Sequence, residues 1–278
     1  MHAFARIIPA ICIILSLTAA VHSCAHNPYA ATNRTYKKQS KTLSKSLRPL
    51  PPPMTLDSIV SPSYAVGTVN FDLRKPNFVI IHHTAQKSCE QTLRTFTLQR
   101  TKVSAHYVIC EDGTVHHMLN DYLRAWQAGV SKWGNNTDIN SSSIGIELDN
   151  DGYETFAEPQ IVSLIKLLDT LKRKYSIPTA NFIGHGDIAP KRKNDPNVFF
   201  PWQRLSQRGF GQWYDDTTNI IIPPSFDHLT ALRLVGYDLA DTTAAIRAFK
   251  RHFLQDTLGR VLDAPDDKIL YQLMKKYQ

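Results

Sequence analysis

NFVIIHHT, residues 77–84, is the stretch on which the fold turns. Phe78 to Ile81 are four apolar residues in a row, three of them β-branched, and they run straight into His82 and His83. β-branched side chains suit a pleated surface. A short continuous apolar run of this kind reads as a buried central strand. Such strands lie inside sheets covered by helices on both faces. The reading also puts His82 at a strand end, where α/β sheets assemble their sites.

Working outward, SCEQTLRTFTLQR (88–100) reads as a helix opened by Ser88 and Gln91 as a capping box, with Leu93 and Phe96 on one face. SAHYVIC (104–110) and TVHHML (114–119) read as two strands joined by a turn at EDG (111–113). SSIGIELDN (142–150) is a further strand ending in polar residues. EPQIVSLIKLLDTLKRKY (158–175) is a helix, because Ile161, Leu164, Ile165, Leu168 and Leu171 recur at helical spacing. NFIGH (181–185) is a last short strand. The expected fold is α/β: a mixed central β-sheet flanked by helices over residues 70–215. A small three-helix domain follows over 216–278, carried by FDHLTALRLV, TTAAIRAFKRHF and DDKILYQLMKKY.

The N-terminus has a different character. Arg6 precedes an apolar run from Ile7 to Val21, which is short for a membrane span of about 20 residues. Residues 1–23 read as a signal peptide, and the small residues before Cys24 resemble a lipobox, which makes Cys24 the expected lipidation site. Export to the periplasmic face of an outer membrane follows, with a soluble periplasmic or secreted protein as the alternative. Residues 24–69 read as a basic, proline-tailed linker. The net charge of +8 favours anionic partners. The cations are scattered outside the linker and no nucleic-acid motif accompanies them, so nucleic acid is not an expected partner. Of four cysteines, Cys89 and Cys110 remain for the exported domain, either as one disulfide or as two buried thiols.

Three polar groups fall at strand ends: His82, Glu147 and His185. GHGDIAPKRKNDP (184–196) adds Asp195 on a loop that Pro190 and Pro196 can fold back toward His185. Two imidazoles and one carboxylate with an open position form a donor set suited to catalytic zinc. No H-E-x-x-H helix occurs, which removes a thermolysin-like site.

FVIIHHTA, SAHYVI, RAWQAGVS, SSIGIELDN and GHGDIAPKRKNDP occur in this order. Together they resemble the type 2 N-acetylmuramoyl-L-alanine amidases, which share a fold with peptidoglycan recognition proteins, and above all their outer-membrane lipoprotein members. The resemblance implies a zinc enzyme acting on peptidoglycan or muropeptides at the bond between the muramic lactyl group and L-alanine; a monomer is a separate expectation. It implies one Zn2+ held by His82, His185 and Asp195, with Glu147 and Lys193 catalytic. It places His106 near the site, as a substrate contact or a partner behind it, and it makes the helical tail a peptidoglycan-binding unit. From the residues themselves, Trp126 is a groove wall for substrate or a packing residue, and Arg192 a contact to a substrate carboxylate or a solvated cation. A non-catalytic wall-binding protein of the same fold is the alternative. The sequence departs from the family at Gln127, where a histidine is common, and at Asn197-Val198. Gln127 is expected to affect sugar or peptide recognition, and the second change to shift the loop carrying Asp195.

Overall fold

The computed structural model describes residues 27–49, 64–65, 67–70, 72–73 and 75–277. The apolar run, Cys24 and linker residues 50–63 therefore lie outside the described residues. Residues up to 66 and residues 67–278 form two separate units.

In the first unit, helix α1 spans Ala30–Ser46 within the linker, and none of its residues is buried. No Gly or Pro interrupts it, and Ala, Lys, Gln and Leu favour the helix.

The second unit is built on five strands in the order β3-β2-β4-β1-β5. They are β1 (Phe78–His83), β2 (Tyr107–Ile109), β3 (Val115–His117), β4 (Ser143–Leu148) and β5 (Phe182–Gly184). β4 is the middle strand, and β1 lies between it and the edge strand β5, parallel to both. Only β3 is antiparallel, returning from β2 through a turn in which Gly113 has φ +86°.

Side chains alternate across a strand. Val79, Ile81, Ile144, Ile146 and Leu148 therefore share one face. They pack there with Ile161, Leu164, Leu168 and Leu171 of helix α4 (Glu158–Tyr175), whose bounds match the sequence reading. Each such fully buried side chain stabilises by roughly 1.5–3 kcal/mol. Helix α2 (Cys89–Thr97) opens with Ser88 accepting from the Gln91 amide. Gln91 returns its own bond one residue upstream of the expected position, to the Lys87 amide. Cys89 and Cys110 are joined by a disulfide, their Cα atoms 5.3 Å apart.

Ile80 and Ile183 pack on the opposite side, in a core shared with the three tail helices α7 (His228–Val235), α8 (Thr242–Leu254) and α9 (Ala264–Tyr277). α7 ends at Gly236, whose φ of +133° disfavours other residues. A Cβ there would also lie 2.4 Å from the Trp133 ring, so the tail approaches the main domain at glycine distance. Because Gly145, Glu147 and His82 alternate with the α4-facing residues, they fall on the tail side of the sheet, with β1 and β4 registering His82 against Glu147.

Candidate active site

β1, β4 and β5 are parallel, so their C-terminal ends open on one edge. His82 and Glu147 are the next-to-last residues of β1 and β4. His185 follows β5 directly and starts a single-turn helix, α5 (His185–Ile188), where the sequence suggested loop. Asp187 caps that turn by accepting the Gly184 amide at 3.0 Å. The 189–195 loop then folds back, and the Gly186 amide donates to the Asp195 carbonyl at 2.6 Å.

Three buried atoms converge as a result. His82 Nδ1 lies 2.9 Å from His185 Nδ1, and Asp195 Oδ2 lies 3.0 Å from each. The protons on the two rings follow from their other contacts. The Ser143 hydroxyl donates to the Ile139 carbonyl at 2.6 Å, so Ser143 Oγ accepts from Gln127 Nε2 at 2.7 Å. That orients the Gln127 amide with Oε1 toward His82 Nε2, 2.6 Å away, and His82 Nε2 carries the proton. His185 Nε2 faces the Ala128 carbonyl at 3.2 Å, which can only accept. With one proton on each ring, held at Nε2, both imidazoles turn Nδ1 lone pairs toward the Asp195 carboxylate. Three lone-pair donors at this spacing repel unless protons or one cation lie among them. Donor atoms this close together would hold one ion at the usual zinc distance of about 2.0–2.1 Å from each. The donor set therefore fits a zinc ion, and each histidine has the outward N–H acceptor typical of a metal ligand.

Loop residues 127 and 128 set both tautomers, and Asn140 holds that loop by accepting both of their amides, at 3.0 and 2.8 Å. Gly145 makes room: a Cβ there would lie 2.6 Å from Gln127 Cγ. Neither Gln127 nor the Ala128 carbonyl was assigned this part from sequence. Gln127 stood out in the sequence only as a departure from the family pattern, and nothing local marked the Ala128 carbonyl, because both lie 45 or more residues from His82 and Asp195 in sequence.

The metal-ligand candidates border a cleft of about 310 Å³, also lined by Glu147, Lys193, Trp126 and Arg192. Glu147 is partly open to it, but Oε2 is shielded and has no partner among the described residues. Burial, reinforced by Asp195 and opposed by His82 and Lys193, pushes its carboxyl up to about 7. Trp126 stands at the cleft, half-exposed. Arg192 lines the cleft, yet its guanidinium is spent on the Ala128 and Val130 carbonyls at 3.1 and 2.5 Å, which fastens the loop that orients the histidines.

His106 corrects the sequence expectation. It is fully buried, its Nε2 donates to the Leu123 carbonyl at 2.9 Å, and its Nδ1 accepts the Gly145 amide at 3.1 Å. Both ring nitrogens are used inside the sheet, so it does not reach substrate. Asn197 does not displace Asp195 either. Its side-chain amide binds Asn150 Oδ1 at 2.9 Å and the Glu154 carbonyl at 3.0 Å, which anchors the loop. Cys89, Cys110 and His116 also converge, but both sulfurs are consumed in the disulfide.

A mixed sheet presenting two imidazoles and a carboxylate to one point, beside a shielded glutamate in an open cleft, has the form of a single-metal hydrolase. The family described as N-acetylmuramoyl-L-alanine amidase matches residues 72–198. The N-acetylmuramoyl-L-alanine amidase AmiD of Escherichia coli strain K12 is 33% identical over 230 residues, 72% of this chain and 82% of its own length. AmpDh3 of Pseudomonas aeruginosa superposes with a TM-score of 0.67 at 30% identity, covering 81% of this chain and 99% of that one. E. coli AmiD, solved with the substrate anhydro-N-acetylmuramic acid-L-Ala-D-gamma-Glu-L-Lys, gives 0.66 at 28%, covering 81% and 98%. This chain belongs to the type 2 N-acetylmuramoyl-L-alanine amidases.

Proposed function

We propose that the chain hydrolyses the amide between the lactyl group of N-acetylmuramic acid and L-alanine of the stem peptide, in peptidoglycan or muropeptides, with one Zn2+ held by His82 Nδ1, His185 Nδ1 and Asp195 Oδ2. The observation that carries the reading is the convergence of those three lone pairs while both Nε2 protons are committed elsewhere. A protein that only bound cell wall would have no use for such a centre beside a shielded glutamate. When bound, zinc polarises a carbonyl and lowers the pKa of water toward about 7. Glu147 is placed to take the proton of the attacking water and to deliver it to the leaving alanine nitrogen. The Lys193 ammonium offsets negative charge developing on the carbonyl oxygen. Trp126 offers the cleft an apolar wall for sugar or peptide, and Arg192 keeps the loop beneath it in place.

The relatives support muropeptide as substrate, since AmiD was solved with one. Residues 1–23 act as a signal peptide and Cys24 carries lipid at the periplasmic face of an outer membrane. The linker occupies 24–69, the catalytic region 70–215 and the tail 216–278, in a monomer. The tail presents its outer side to glycan or peptide. No described helix is long and apolar enough to cross a membrane.

Mass spectrometry of a purified disaccharide-peptide, incubated with the protein with and without a zinc chelator, tests the reading. Chelator-sensitive release of a peptide beginning with L-alanine is expected. An intact muropeptide in the presence of zinc-loaded protein sinks it.

A further inference from the structure

Helix α1 carries a stripe of charge along one side. A helix turns about 100° per residue, so relative to Arg34 the lysines at 37, 38, 41 and 45 fall at about −60°, 40°, −20° and 20°. Arg48, just past the helix end, continues the line. All six cations are exposed. The first acidic residue of the chain is Asp57, so the stripe has no counter-charge of its own. Tyr29, Tyr36, Leu43 and Leu47 form a narrower apolar line on the opposite side, at about 180–220°. Leu43 and Leu47 are 51% and 75% exposed.

From these observations we infer that α1 is a docking face for an anionic lipid surface, lying lengthwise on phosphate headgroups through its cationic side. A straight stripe about 20 Å long matches a flat surface of uniform negative charge. Its position in the chain points the same way. Eight residues separate Val21, the end of the apolar run, from Ala30. Fully extended, they reach about 30 Å, so a chain held at a bilayer by its N-terminus keeps α1 at that bilayer. Because the apolar line is turned away from the cations, binding is electrostatic, not insertive. Each cation near such a surface strengthens binding about fivefold, and the attraction fades within a Debye length. The placement at a membrane rests on the export reading, but the measurement below does not, since it uses protein without leader or lipid.

Residues 27–278 are sedimented with vesicles of phosphatidylglycerol mixed with phosphatidylcholine, with phosphatidylcholine alone, and with lipid-free sacculi. Binding to the anionic vesicles alone is expected, and it falls as salt rises. Combining Lys37→Gln, Lys38→Gln and Lys41→Gln keeps good helix formers and weakens binding about a hundredfold. Leu43→Ser with Leu47→Ser binds as before, and muropeptide hydrolysis is unchanged in both variants. No binding to anionic vesicles, undiminished binding by the neutralised variant, loss of binding in the serine variant, or binding confined to sacculi would each overturn the inference.

Discussion

Gln127 accepts the His82 Nε2 proton at 2.6 Å while its own nitrogen is held by Ser143 at 2.7 Å. A side chain 45 residues away in sequence thus aims a lone pair at the proposed metal position. Gln127→Leu keeps the bulk and removes the acceptor. Zinc affinity, read by competition with a chromophoric chelator, is expected to fall about 10–100-fold. An unaltered affinity would strip Gln127 of this role.

Asp195→Ala leaves two imidazole lone pairs 2.9 Å apart without their carboxylate. Muropeptide hydrolysis is expected to vanish while the fold persists. Zinc at about 100 times its Kd should stabilise the wild type by about 2.7 kcal/mol against thermal unfolding, and the variant hardly at all. A variant that hydrolyses at the wild-type rate refutes the ligand assignment.

Glu147 ties stability to pH once zinc is chelated. Its folded-state pKa of about 7 exceeds the ordinary 4.5. Between those values the folded chain holds a proton that the unfolded chain has lost, so stability declines as pH rises through that window and levels off above it. The loss is on the order of 3 kcal/mol. Metal-free Glu147→Gln should match the wild type near pH 4 and exceed it at pH 8, in urea unfolding followed by circular dichroism. A bound dication favours the ionised carboxylate, so the difference shrinks in the zinc-loaded proteins. Parallel pH curves for the two metal-free proteins would contradict the assigned burial.

The tail reaches the site through Asp187. That carboxylate accepts from His252 Nδ1 of α8 at 2.7 Å and from the Tyr237 hydroxyl at 2.9 Å, two residues after His185. Tyr237→Phe removes one buried partner and should cost about 1–3 kcal/mol in urea unfolding. Deleting residues 225–278 uncovers Ile80, Ile183 and Ile188 as well. The truncated chain is expected to be unfolded by circular dichroism. Recovery of a folded, active truncation would show that the tail is dispensable to the core.

Much of this was legible in sequence. β1 was visible as an apolar run, α4 as a helical period, and each tail helix as an amphipathic stretch ended or capped by local chemistry: Asp227 opens α7 and Gly236 closes it. His82 and His185 were legible because they lie in short motifs at strand ends, and Asp195 because Pro190 and Pro196 allow its loop to fold back toward His185. Such features depend on neighbours within a few residues, whose spacing is written directly in the chain.

What the tertiary structure decided depends on partners far apart in sequence. His106 looked available to substrate until Leu123 and Gly145 were found to use both of its nitrogens. Gln127 looked like a recognition change until Ser143 oriented its amide toward His82. A hydrogen bond is set by distance and direction between atoms that only folding brings together. The sequence by itself determined the strands, α2, α4 and the tail helices, though neither α1 nor α5, and which groups are offered as ligands. Only the packed sheet and its loops decided which nitrogen keeps its proton and which side chain remains free to face the cleft.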